Sequence, residues 1–230
     1  MTNAARPAFY ALRPGGWRDY VTLLHPPYTL WHLSYVALGA ALAPQMKWGL
    51  LGWTTLAFLL AMGVGAHALD ELHGRPLRTQ IPSAVLVGLA ASSIAAAAAI
   101  GVVVAAHSTL WLLLFVVGGA LFVVAYNLEL LGGAVHTDVW FAASWGAFPV
   151  LTAYFASVER LRGEALAAAA FAFLTSLAQR RLSTEARAVR RGAAPQPDAD
   201  ARLRAPEAAL RLLAAAMPAL AGALLLARVG

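Results

Sequence analysis

The sequence predicts an all-α protein, a polytopic bundle of about seven transmembrane helices with a cytoplasmic N-terminus, from the length and sidedness of its apolar runs. Three observations carry that prediction. Of 230 residues, 60% are hydrophobic and only 12% are Asp, Glu, Lys or Arg, against about a quarter in an ordinary soluble domain. The apolar residues are gathered into runs long enough for a hydrocarbon core of about 30 Å, and the mean hydropathy is +0.67. The basic residues also alternate in density between the connections. With the N-terminus inside, the cytoplasmic set holds Arg6, Arg13, Arg18, Arg75, Arg78, Arg180, Arg181, Arg187, Arg190, Arg191, Arg202 and Arg204. The opposite set holds only Lys47, Arg160, Arg162 and Arg228, which is the positive-inside pattern.

The elements follow in order. A polar segment, 1–27, comes first, without the short basic start and small-residue cleavage site of a secretory leader. Apolar runs then occupy 28–44, 48–69, 82–106, 109–126, 138–157 and 165–182, so that 28–182 reads as a six-helix membrane core. Pro44, the pair His107–Ser108 and "ERLRGE" at 159–164 punctuate it. Alanine- and glycine-rich tracts such as "AASSIAAAAAIGVVVAA" suit close helix packing in lipid. The segment 183–205 reads as a basic, mobile cytoplasmic loop, and 206–230 as the last transmembrane helix.

Composition narrows the function classes. A net charge of +6 and a pI near 10.3 come from basic residues lying between apolar runs, where they face anionic headgroups. Membrane lipids are therefore the expected partners and nucleic acid is not. Cysteine is absent, which excludes disulfides, thiol catalysis and cysteine-bound metals. No Walker loop, nucleophile elbow, dinucleotide-binding glycine motif or HExxH pattern occurs.

In that topology the unusual polar groups collect on the cytoplasmic side. "HALDELHGRPLR" (67–78) closes the second apolar helix, "YNLELLGGAVHTD" (126–138) joins the fourth to the fifth, "TSLAQRRLST" (175–184) closes the sixth, and "HPPYTLWH" (25–32) opens the first. Ionisable groups at membrane depth need partners or water, so a polar cavity open to the cytoplasm is expected. His67, Asp70 and Glu71 stand at i, i+3 and i+4, on one helical face. Two readings fit the acids: together they hold one Mg²⁺ that keeps several waters, or they pair with Arg75 and Arg78. His67 and His73 read as hydrogen-bonding partners ahead of metal ligands. The second connection adds Asn127, Glu129, His136 and Asp138, the last also suited to a helix N-terminus. Arg180 and Arg181 either hold topology or bind phosphate through the guanidinium fork.

With those segments in that order, the chain resembles the UbiA-type intramembrane prenyltransferase superfamily over about residues 25–185. "HPPYTL" opens the first helix, "HALDELHGRPLRTQIP" follows the second, and "YNLELLGGAVHTDVWFAASWGAFPVLTAYF" crosses the fourth and fifth, with Tyr126, Trp145, Gly146 and Pro149 paralleling family positions. The resemblance implies transfer of a prenyl group from an isoprenoid diphosphate to a membrane-associated acceptor. Asp70 and Glu71 would be catalytic ligands of Mg²⁺, and Arg75, Arg78, Arg180 and Arg181 would bind the diphosphate. His67, His73, Asn127, Glu129, His136 and Asp138 would complete the polar cavity. The chain departs from the family in its acids. Only Asp70 and Glu71 remain of the first acidic motif, and Gln179, Arg180 and Arg181 stand where a second is expected. The alternative is a non-catalytic isoprenoid- or lipid-binding membrane protein that kept the fold and lost the metal chemistry.

Overall fold

The computed structural model describes residues 6–191 and 198–229, and among them there is helix and no strand. A short α1 (Trp17–Leu23) precedes α2 (Pro26–Ala41), α3 (Trp48–Leu72), α4 (Ser83–His107), α5 (Leu112–Asn127), α6 (Asp138–Val158), α7 (Gly163–Arg191) and α8 (Ala199–Leu226). Each of the seven apolar runs falls in one of the helices α2 to α8. Of these, α3, α4, α6 and α8 are long and apolar enough to cross a membrane, and by length and composition they mark a membrane-embedded protein. α2 has 16 residues, roughly 24 Å at about 1.5 Å per residue, short of a hydrocarbon core. α7 is long but turns basic in its last three turns.

One expected boundary is corrected. The segment 183–205 is not a loop: α7 runs on to Arg191 and α8 begins at Ala199. Alanine and arginine are strong helix formers, and nothing in "STEARAVRR" stops the helix before Gly192. The rest of that expected loop, 192–197, lies outside the described residues.

α2 starts sharply because Pro26 and Pro27 supply its first turn, where a missing N–H leaves nothing unsatisfied. It lies at the centre of the bundle, packed on α6 and α8. Trp31, Tyr35 and Leu38, spaced for one face, bury against Val150, Ala169, Ala172, Ala214 and Met217. Polar atoms inside this core are paired. Trp31 Nε1 donates to Tyr35 Oη at 2.5 Å, and that hydroxyl meets Thr175 Oγ1 at 2.7 Å.

Two glycines set how closely the helices approach. A Cβ on Gly39 would fall on the Val150 carbonyl, and one on Gly146 would fall on the Ala172 carbonyl. Both obstacles are backbone and cannot rotate away. Gly39→Ala and Gly146→Ala are each expected to destabilise the purified protein by about 1–3 kcal/mol, the usual range for overpacking. An unchanged thermal midpoint for either would refute the close approach.

α3 and α6 share a second feature. Both contain a π-helical stretch, at Leu59–Ala66 and Ala142–Ala147, where the turn widens to i→i+5 hydrogen bonds. Met62 and Ala66 from the first pack against Trp145 from the second, with Val123 and Tyr126 of α5.

The connection after α3 is organised by a buried acid. Glu71 is fully enclosed; its Oε1 accepts from Thr79 N at 2.8 Å and Thr79 Oγ1 at 2.9 Å, and its Oε2 accepts from Leu77 N at 2.9 Å. Arg75, at φ 53, donates to the Ile81 carbonyl at 2.5 Å and to Ser83 Oγ at 2.8 Å. Neither side chain has the other as partner, so the expected Glu71–Arg75 pair does not form. Asp19 braces the same connection from α1, accepting from Gln80 N and Gly15 N at 2.8 Å each. These groups shape a turn.

Candidate functional site

At one end of the bundle α2, α3, α6 and α7 diverge around a cavity of about 430 Å³. Helical spacing explains which side chains reach it. From α2 come His25, Tyr28 and His32, at i, i+3 and i+7, and from α3 His67, Asp70 and, at the rim, His73. From α7 come Arg180, Ser183, Thr184, Arg187 and Arg191, again at i, i+3, i+4, i+7 and i+11. The end of α5 and the turn after it add Tyr126, Asn127, Glu129 and His136, and α6 adds Asp138 and Trp145. Phe9 and Tyr10 of the N-terminal segment close one side. Phe9 lies beneath the Arg211 guanidinium, and Tyr10 lies against His25 and Tyr28.

The histidines are held by backbone carbonyls. His67 Nδ1 faces Gly63 O at 3.1 Å, His32 Nδ1 faces Trp145 O at 2.8 Å, and His136 Nδ1 faces Tyr126 O at 2.9 Å. A carbonyl only accepts, so each Nδ1 carries a proton and each Nε2 is the atom left for other contacts. His136 uses its lone pair to accept from Arg180 Nη2 at 3.3 Å. His25 stacks on His67 at 3.9 Å between ring centres. Burial pushes the His25 imidazole well below its ordinary value, and the neighbouring His67 adds to this, so the ring is neutral.

The two central arginines differ in their partners. Arg180 donates through Nε to Asp138 Oδ1 at 3.3 Å and lies 5.3 Å over the Phe141 ring. Arg187 reaches only hydroxyls, Ser183 Oγ at 3.2 Å and Thr184 Oγ1 at 2.9 Å, and has no carboxylate within ion-pairing distance among the described residues. Burial lowers its pKa from the usual arginine range, Arg180 lowers it further, and Tyr28, Asp70 and Tyr10 offset part of the effect. Deeper in α7, Arg190 pairs with Glu207 of α8, both side chains almost wholly buried, and also holds the Arg6 carbonyl at 2.5 Å. That pair ties the two helices and the N-terminal segment together.

Among the described residues, three buried side-chain polar atoms have no hydrogen-bond partner: His25 Nε2, Tyr126 Oη and Gln179 Oε1. All three residues line this cavity. Burying such atoms unpaired costs about 1–3 kcal/mol each, so these three are points of local strain in the packing around the cavity.

The structure brings some of the sequence candidates together and separates others. Asp70, Arg180, His67, His73, Asn127, Glu129, His136 and Asp138 line the cavity. Glu71, Arg75, Arg78 and Arg181 do not. Glu71 and Asp70 are adjacent and so point about 100° apart on the helix; when Asp70 faces the cavity, Glu71 faces the turn at 77–79. Arg181 parts from Arg180 for the same reason and is exposed. Arg78, at φ 57, is also exposed.

A magnesium ion held by Asp70 and Glu71 therefore does not fit these residues. Both Glu71 oxygens are taken by Leu77 and Thr79, and among the described residues no group of three or more His, Asp and Glu side chains is placed to hold a metal.

Sequence reasoning missed Arg187, Gln179, Tyr10, Tyr28, His25 and His32 as site residues. The signal was present for most of them. Arg180 and Arg187 are seven apart, two full turns, and His25, Tyr28 and His32 repeat that spacing. No family model matches the chain, and no curated protein and no solved structure is found similar to it.

Proposed function

We propose that the chain is a seven-span membrane protein, with N-terminus and polar cavity facing the cytoplasm, that binds the phosphorylated head of an isoprenoid lipid through the arginines of α7. The carrying observation is Arg187, a half-buried guanidinium that lines the cavity and touches no carboxylate among the described residues. A charge partly withdrawn from water and touching no counter-charge is unfavourable, and a phosphate supplies one with the geometry a guanidinium prefers. Arg191 and Tyr10 line the same cavity. Three further arguments favour a membrane-borne guest: the four apolar spans, the basic residues on one side, and the resemblance of the segment order to the UbiA-type superfamily.

Prenyl transfer is the second reading, and Asp70 favours it. This acid lines the cavity opposite the α7 arginines and makes no hydrogen bond or ion pair among the described residues. An acid left unengaged beside a bound allylic phosphate can take a proton from an acceptor substrate. The apolar body of the bundle meanwhile excludes water.

Calorimetry with geranyl diphosphate on the reconstituted protein tests both readings. Binding that persists unchanged in excess chelator is the expected result. Loss of binding with chelator would overturn arginine-only recognition. Formation of a prenylated product from a phenolic acceptor would select the transferase over the carrier.

A further inference from the structure

A second cavity, about 100 Å³ and lined almost entirely by carbon, lies between α3, α4, α5 and α6. Phe58, Ile94, Phe115, Phe122 and Phe148 form its walls, and alanines and glycines, among them Ala97, Gly101 and Ala120, leave the space open. Two residues belong to both this pocket and the polar cavity: Met62 and Trp145. Each stands in one of the two π-helical stretches, Leu59–Ala66 of α3 and Ala142–Ala147 of α6. A π turn carries an extra residue and pushes its side chains off the regular helical face, and such turns concentrate at functional positions. Here the paired distortions place one flexible thioether and one indole at the boundary between a charged chamber and an apolar one. The His32 bond to the Trp145 carbonyl holds the indole's backbone in place, whereas Met62, packed against Trp145, is unbranched and the more adaptable of the two.

We infer that Met62 and Trp145 are the specificity-determining partition of a single two-part site, in which a phosphate head occupies the polar cavity and its hydrocarbon chain passes between them into the apolar pocket. The inference rests on the phosphate reading for the head and commits the apolar pocket to one occupant, the single chain of that same molecule. Continuity through the two shared residues is the argument for this occupant. A cavity of about 150 Å³ accepts benzene; scaled to that, this pocket of about 100 Å³ seats about four carbons. Chain selection then follows from geometry: Met62 sets whether a chain enters, and the alanines at the far end set how much of it is accommodated.

Alkyl monophosphates from ethyl to dodecyl, titrated into the reconstituted protein, provide the test. Affinity is expected to rise about fourfold per added methylene while the pocket fills, then to level off. Ala97→Leu and Ala120→Leu fill the pocket without touching the polar cavity. Both are expected to abolish the rise, while Met62→Ala strengthens binding of the longer chains and leaves the levelling point where it was. Equal affinity for ethyl and dodecyl phosphate in the wild type overturns the inference and leaves the phosphate reading intact. If no alkyl phosphate binds, the head reading falls and a neutral chain decides the rest. Quenching of Trp145 fluorescence by a brominated alkanol, taken as wild type minus Trp145→Phe and lost in Ala97→Leu, then keeps the inference. No quenching overturns it.

Discussion

Arg187→Gln is expected to weaken binding of an isoprenoid diphosphate about thirtyfold, the equivalent of losing one charge-assisted contact of about 2 kcal/mol. The size follows from what the guanidinium lacks. Among the described residues its hydrogen-bond partners are Ser183 and Thr184, neutral hydroxyls on its own helix, so its charge is available to a guest. Arg180 is already engaged by Asp138 and His136, and Arg180→Gln is expected to have the smaller effect. Arg187→Lys keeps the charge and gives up the fork, so it should fall between wild type and Arg187→Gln. Calorimetry on the three variants, with thermal midpoints as the folding control, reads this directly. Equal affinity in Arg187→Gln and wild type would return the arginine to the role of a topology signal.

The second large effect separates two adjacent acids. Glu71→Ala is expected to destabilise the protein by about 3–5 kcal/mol, because Leu77 N, Thr79 N and the Thr79 hydroxyl lose their acceptor inside a closed turn, at roughly 1–3 kcal/mol each. Asp70→Asn breaks no hydrogen bond and should leave the thermal midpoint within about 0.5 kcal/mol of wild type. A shared metal site requires the reverse: similar stability for both variants and similar loss of function. Thermal melts beside binding isotherms distinguish the two patterns, and a stable Glu71→Ala would undo the account of the turn.

The opposite fates of Asp70 and Glu71 show where sequence reasoning stops. The two share a helix, are chemically alike and are one residue apart. Spacing placed both near His67, but face assignments have a tolerance of about one residue, and one residue on a helix is about 100°. Only the path of 73–82 settles which acid turns inward, and that path depends on Gly74, Arg75 and Arg78 adopting positive φ. Arg180 and Arg181 repeat the lesson on α7, where the buried Ala172, Ser176, Gln179 and Ser183 fix the packed face and leave Arg181 outside.

Hydropathy, by itself, determined the helical class and the places of the apolar helices, because the apolarity of a run is a property of each segment alone. The polar stretches at 25–32, 67–78, 126–138 and 175–184 were likewise legible as exceptions within an apolar chain, and each contributes residues to the one cavity. Tertiary structure alone decided which polar side chains share a cavity, that Glu71 and Arg75 serve a turn, and that two π stretches meet at Met62 and Trp145. Those outcomes depend on the rotation of each helix about its axis. Rotation is set by contacts between segments far apart in the chain, such as Gly39 on Val150 and Gly146 on Ala172.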